Sequence, residues 1–394
     1  MTDRPQQSVS YAKRIVSSAF KGWGARIGLT WVVILAFVAC FSPFLANSMP
    51  LAVSQNGVVS LPILRYLSAE DLMLMVLFVA VLVLWKLPFK FSTKAAVAAS
   101  SSLLALLVGL AILSPPKTII YDEFREKAAS GSYDWQLMPP IPYSPSDYLR
   151  DFGDNSLKAP LVTEQQFHLM GTDSTGSDVA SRMVHASRVA LSIGFIATGI
   201  SMIIGIIIGG QMGYFAGRFD MIGMRIVEVF EAIPVLFLLL AFVAFFGRSV
   251  YILMIIIGVT GWSGYARYIR AEFLKLRKQD YVQAAIASGL PLRSILFRHM
   301  LPNGIAPVLV VASFGVAAAI LTEATLSFLG LGPVEAPSWG SMLNEAVRSS
   351  TFNWWLAVFP GGAIFLTVFS YNLIGEALRD AVDPQLSRKA GVVS

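Results

Sequence analysis

Charge is scarce in this sequence: Asp, Glu, Lys and Arg make up 14% of 394 residues, against about a quarter in an ordinary soluble domain. The shortage is uneven, because long stretches carry no charge at all; 55% of residues are hydrophobic and the mean hydropathy is +0.65. That pattern excludes a disordered chain and a water-soluble enzyme. The single cysteine, Cys40, excludes an internal disulfide and, lying in an apolar run, says nothing of redox compartment. Three scattered histidines, His168, His185 and His299, argue against a His-built metal site. Catalytic motifs are also missing. No G-x-x-x-x-G-K-[ST] is present, so the chain has no phosphate-cradling loop followed by its lysine. Nor is there a G-x-S-x-G, an H-E-x-x-H or a cysteine pair, and nothing resembles a nucleophile with its base. What the chain has in abundance is apolar runs, so the net charge of +6 and pI near 9.4 read as membrane topology and not as a nucleic-acid footprint.

Crossing the hydrocarbon core takes about 20 apolar residues as a helix. Eight runs qualify or nearly so: 27–45, 72–85, 95–113, 189–217, 226–247, 249–266, 303–329 and 356–375. The first follows Arg4, Lys13, Arg14, Lys21 and Arg26, and lacks a small-x-small exit, so it reads as an uncleaved span. The second is short and needs its flanks or snorkelling end charges to cross. Only Lys86, Lys90 and Lys94 carry charge between the second and third, which predicts a hairpin dipping into the cytoplasm. An even number of spans puts both termini on one side, and the basic ends make that side cytoplasmic. The segment 267–298 falls there by threading, and its seven bases against Glu272 and Asp280 demand the same. The layout is therefore a cytoplasmic tail 1–26, a first span plus hairpin 27–113, a polar extracytoplasmic segment 114–188, a core 189–386 with a cytoplasmic loop 267–302, and a tail 387–394. The fold class is an all-α polytopic membrane protein, with no repeat of fixed period.

Residues 280–303, DYVQAAIASGLPLRSILFRHMLPN, stand out. Asp280 with Gln283 three residues on reads as a carboxylate capping box that starts a helix at Tyr281. Ala284, Ala285 and Ala287 give that helix a small-residue surface. Ser288-Gly289 ends it, Gly289 taking the left-handed conformation at low cost. Pro291 suits the first turn of a second helix, whose Leu292, Ile295, Leu296 and His299 share a face. Leu301-Pro302 closes the unit where the next span begins. Physically this is either an amphipathic loop resting on headgroups or a knuckle built to be gripped.

The spacing of Ala284-Ala285, Gly289 and Leu301-Pro302 resembles the cytoplasmic loop motif of binding-protein-dependent ABC importer permeases, and residues 284–302 fit it without a gap. LMGTDSTGSDVASRMVHASRVALSIG at 169–194, GYFAGRFD at 213–220, GWSGYARYIRAEFL at 261–274, TEATLSFLGLG at 322–332, PSWGSML at 337–343 and LRDAVDPQL at 378–386 resemble further blocks of the dipeptide/oligopeptide branch, in order. The resemblance implies a type I ABC importer transmembrane fold in a bacterial-type cytoplasmic membrane. It also implies a second permease, two cytoplasmic ATPase subunits carrying ATP and Mg, a substrate-binding protein outside, no cofactor on this chain, and peptides as the cargo. Tyr281, Gln283, Ala284, Ala285, Gly289, Pro291, Leu301 and Pro302 would form the ATPase-coupling loop. Departures are Gln283 where the family has Glu, Ser177 where it often has arginine, and the extra hairpin near 72–113. Nickel and other non-peptide importers share the signature.

Acids within spans are costly and therefore conspicuous. Glu228 and Glu231 lie three apart near Arg225, as a gating ring or as an Arg-paired end cluster. Glu323, matching a family acid, lines the pathway or ties two permeases together. Pro234 and Pro360 read as kinks, Trp339, Trp354 and Trp355 as interface anchors, and Asp173 and Asp178 as caps of a turn and a helix. The alternative function is a stand-alone secondary transporter or channel; paired broken helices or several midplane polar residues would mark one, and neither is evident.

Overall fold

The computed structural model describes residues 19–116, 119–162, 166–349 and 351–382. The basic residues Arg4, Lys13, Arg14, Arg388 and Lys389, most of the 1–26 tail, all of the 387–394 tail and the end of the LRDAVDPQL block lie outside them. Among the described residues the helices of eight residues or more are α1 (Trp23–Cys40), α2 (Ala69–Lys86), α3 (Phe91–Ile112), α4 (Asp122–Ala129), α5 (Val179–Phe215), α6 (Gly217–Ala232), α7 (Val235–Phe246), α8 (Val250–Thr260), α9 (Trp262–Leu276), α10 (Asp280–Ala287), α11 (Leu301–Leu326), α12 (Trp339–Arg348) and α13 (Trp354–Val382). Three short strands, β1 (Ala52–Gln55), β2 (Val58–Ser60) and β3 (Trp135–Leu137), form an antiparallel sheet in the order β2-β1-β3.

The apolar runs become helices, but the span count differs from eight. Among the described residues six helical stretches are long and apolar enough to cross alone, and the bent pair α6–α7 brings the number to seven if it is taken as one span. The run at 72–85 does form a helix, α2, with Glu70 and Asp71 in its first turn and Lys86 in its last, and these end charges keep it out of the six. The run at 226–247 is broken rather than kinked. Pro234 supplies no amide hydrogen, Ile233 before it is extended (φ −79°, ψ 122°), and α6 and α7 meet at 79°. Pro360, by contrast, sits within an uninterrupted α13. Helix α5 begins ten residues before the predicted apolar boundary, because Asp178 Oδ1 accepts from Ser181 N at 2.7 Å and caps it there.

The chain divides into two compact units. One holds Val33–Leu191 and Ser327–Ala363. In it the polar segment, the start of α5 and α12 are tied by polar contacts, several of them buried. His168 Nδ1 lies 2.8 Å from Asp178 Oδ2 with both side chains 1% exposed. Asp173 Oδ1 accepts from Thr175 N and Ser177 N, turning the chain, while Arg182 reaches both Asp173 and Glu345. Ser177, where an arginine was the family expectation, is itself buried. Trp339 and Trp355 are not interface anchors: both are buried, donating from Nε1 to Met183 O and Thr172 O. Trp354 alone of the three is exposed. In the polar segment, burial pushes the Tyr143 phenol up to about 12.

The other unit holds the chain up to Val32, Ser192–Leu326 and the chain from Ile364. Its centre is the crossing of α5 and α9, where Gly205, Gly209 and Gly213 of α5 recur every fourth residue. A Cβ at Gly209 would come within 2.2 Å of Ala266 O, and one at Gly213 within 2.6 Å of Arg270 O. Only a hydrogen on this face lets two helix backbones approach so closely.

Candidate functional site

Helix α10 packs its Val282 and Ala285 into one apolar cluster with Ile269, Phe273 and Leu276 of α9, Ile295, Leu296 and Met300 of the following turn, and Val308 of α11. The loop is thus part of the core. Other residues of the loop face out: Tyr281, Ile286, Leu290, Leu292 and Phe297 are 37–48% exposed, beside the exposed Lys278, Arg293 and Arg298.

The predicted capping box is absent. The N-cap is Gln279, without a side-chain cap, and Gln283 Nε2 instead donates to Arg277 O at 2.7 Å. Its amide closes the approach to the helix, a role that Asp280 does not share. The far end follows the prediction. Gly289 has φ +68°, Leu290 N donates to Ala285 O and Gly289 N to Ile286 O, the paired bonds of a Schellman stop. Pro291 (φ −64°, ψ 146°) is the N-cap of the next turn rather than its first residue.

Leu301-Pro302 is not a joint between separate pieces. Leu292–Ser294, a π-helical stretch Ile295–Met300 and α11 run on continuously. Pro302 is tolerated because the wider π turn precedes it and loosens the demand for its amide hydrogen. The knuckle therefore has no hinge where it meets the span. Of the predicted face, Ile295 and Leu296 are buried, His299 is half-buried and Leu292 is exposed. Tyr281 reaches Asn303 near the start of α11; partial burial pushes its phenol up and that hydrogen bond opposes the shift.

A second connection joins the loop's entry helix to α6. Arg270 grips Asp220 with two parallel bonds from one guanidinium edge, Nε to Oδ1 and Nη2 to Oδ2, the latter at 2.6 Å, with side chains 26% and 13% exposed. This pair and the α5 glycines were missed in the sequence; the four-residue glycine spacing was the available signal. Asp220→Asn is expected to cost about 1–3 kcal/mol, read as a lower melting temperature of the purified protein. Exchanging the two charges (Asp220→Arg with Arg270→Asp) should recover part of it.

The intramembrane acids do not converge. Glu228 pairs with Arg225 at 2.5 Å, and Glu231 pairs with Arg267 of α9. Glu323 is 1% exposed and lies about 30 Å along α11 from Asn303 at 1.5 Å per residue. Among the described residues no cluster of His, Cys, Asp and Glu suits a metal ion.

Residues 201–388 match the family described as "Binding-protein-dependent transport system inner membrane component". The oligopeptide transport system permease protein OppC of Haemophilus influenzae is 38% identical over 233 residues, 59% of this chain and 75% of that protein. The dipeptide permease DppC of Bacillus subtilis is 38% identical over 59% of this chain and 75% of its own length. The glutathione transport system permease GsiD of Pectobacterium atrosepticum is 39% identical over 56% and 73%. A chain of the solved MetNI methionine ABC transporter aligns with 50% of this one at 18% identity and a TM-score of 0.40. The relatives and the ordered blocks agree: this multi-pass inner-membrane chain is not itself an enzyme and belongs to the binding-protein-dependent transport system inner membrane components, the permease subunits of ABC importers.

Proposed function

We propose that this permease carries short peptides inward, and that the knuckle from Tyr281 to Pro302 is where separate ATPase subunits push. One observation carries the mechanical half. Val282 and Ala285 anchor α10 in the core while Tyr281, Leu290 and Leu292 point away from it. A partner pressing on the outer residues moves the inner ones, and with them α9 and α11. Ala284 and Ala287, exposed and small, allow a partner surface to come close to the α10 backbone. Gln283 holds the entry turn, Gly289 and Pro291 fix the corner, and Leu301 and Pro302 sit in the helix that carries the displacement into the membrane.

The remaining machine is a second permease that completes the pathway, two ATPases binding ATP and Mg, and an extracytoplasmic binding protein that delivers cargo. Glu323, buried in α11, serves the pathway or the permease pair; Glu228 and Glu231, each held by an arginine, stabilise the end of α6. The peptide assignment is supported by relatives named for oligopeptides, dipeptides and glutathione, which share a backbone amide and free termini.

The test is reconstitution. Liposomes holding the assembled complex should accumulate a labelled short peptide only with ATP inside the ATPase compartment and the binding protein opposite. Flux through the lone chain, indifferent to ATP, would contradict the reading, and accumulation of a metal ion but no peptide would overturn the cargo.

A further inference from the structure

The α2–α3 hairpin lies outside the residues matched to the family, and the coupling account gives it no task. Its base is fixed. Ser68 and Asp71 form a reciprocal cap, with Asp71 Oδ2 accepting from Ser68 N at 2.7 Å, and the same buried carboxylate pairs with Arg188 of α5. The two helices are closely apposed, since a Cβ at Gly109 would meet Ala69 Cα at 2.8 Å.

The tip is different. Residues 85–94, WKLPFKFSTK, carry three lysines, and no Asp or Glu occurs between Asp71 and Asp122. Lys94 Nζ donates to Trp85 O at 3.1 Å, stapling the two helix ends. Lys86 and Lys90 are exposed and make no ion pair among the described residues. Around them Trp85, Leu87, Phe89 and Phe91 are exposed at 68%, 39%, 54% and 86%. Aromatic rings beside unpaired ammonium groups suit one environment, the boundary where acyl chains meet headgroups. Helix α2, at 18 residues, is about 27 Å long and falls short of the roughly 30 Å hydrocarbon core. Its tip is thereby drawn to the headgroup level, where lysines extend to phosphate.

We propose that residues 85–94 form a docking site for anionic phospholipid headgroups of the cytoplasmic leaflet, with Lys86 and Lys90 as the charge contacts and Trp85, Phe89 and Phe91 as the wedge. The charge complementarity singles out anionic over zwitterionic lipid, because three uncompensated cations attract a net negative surface and gain little from a neutral one. This inference concerns the hairpin alone and does not depend on the cargo or on the ATPase partner.

The experiment uses the full chain in nanodiscs containing either brominated phosphatidylglycerol or brominated phosphatidylcholine at equal mole fraction. The Trp85 share of the fluorescence is isolated by subtracting a Trp85→Phe variant. Quenching of that share should be at least about twofold stronger with the anionic lipid. Replacing Lys86, Lys90 and Lys94 by Gln should remove the difference, and replacing them by Arg should preserve it, which separates charge from loss of fold. Added inorganic phosphate should leave the signal unchanged. Equal quenching by the two lipids, a preference surviving the Gln variant, or displacement of lipid by phosphate would each overturn the proposal. Absence of quenching by either lipid would mean that protein or water surrounds the tip, and would overturn it too.

Discussion

Gly209→Leu should cut the yield of folded, extractable permease by roughly tenfold or more, since overpacking costs about 1–3 kcal/mol even where side chains alone must yield. Here the obstruction is backbone. The first atom of any side chain at Gly209 would sit 2.2 Å from Ala266 O, so α5 and α9 must separate along their crossing. Gly205 and Gly213 share the face, with corresponding approaches of 2.4 Å to Tyr265 Cβ and 2.6 Å to Arg270 O. Separation there also strains the Arg270–Asp220 grip and the cluster around Phe273. Gly209→Ala should lower the melting temperature less, by one methyl's worth of displacement. Gly199→Ala on the same helix meets nothing within 4 Å and should raise it, as removing a helical glycine gains up to about 1 kcal/mol. Equal shifts at the two positions would mean that the crossing does not hold the fold.

Gly289→Val should spare folding and damage function. A Cβ there meets nothing within 4 Å, so the penalty is confined to the backbone at φ +68°. A β-branched residue in that region costs about 1–2 kcal/mol, enough to open the two closing bonds to Ala285 O and Ile286 O. The corner then yields when pushed, instead of passing motion to α11. Uptake by the assembled complex should fall by about tenfold, matching 1.4 kcal/mol, while the ATPases continue to hydrolyse. Gly289→Asn, which tolerates the left-handed region, should retain most of the uptake. Full uptake by a well-inserted valine variant would remove the corner from the mechanism.

Much of the architecture was legible because membrane helices write themselves as charge-free runs, and because a glycine after a short helix, as at Gly289, favours a stop through positive φ. The misreadings have physical causes. Asp280 and Gln283 have the spacing of a capping box, but Arg277 O, left over at the end of α9, competes for the Gln283 amide and wins. Leu301-Pro302 has the look of a unit's end where the next span begins, yet the π stretch Ile295–Met300 absorbs the proline and one helix runs through. Trp339 and Trp355 looked like bilayer anchors because composition cannot tell an aromatic beside lipid from one buried under a polar segment. The strands at 52–60 were invisible for want of length, and the Asp220–Arg270 pair because 50 residues separate its members. The glycine face of α5 was legible and was overlooked; its four-residue period marks a helix contact without naming the partner helix.

The central claim is that a motor on a different polypeptide grips the knuckle between Tyr281 and Pro302. With the native cysteine removed (Cys40→Ser), single cysteines at Leu290 and Leu292 allow crosslinking within native membranes, followed by identification of the captured chain. The account predicts an ATPase subunit attached at both positions, with the yield changing between nucleotide-free and ATP-bound conditions. Capture of lipid or water-borne reagent alone, or labelling of these positions from the extracytoplasmic side, would contradict it.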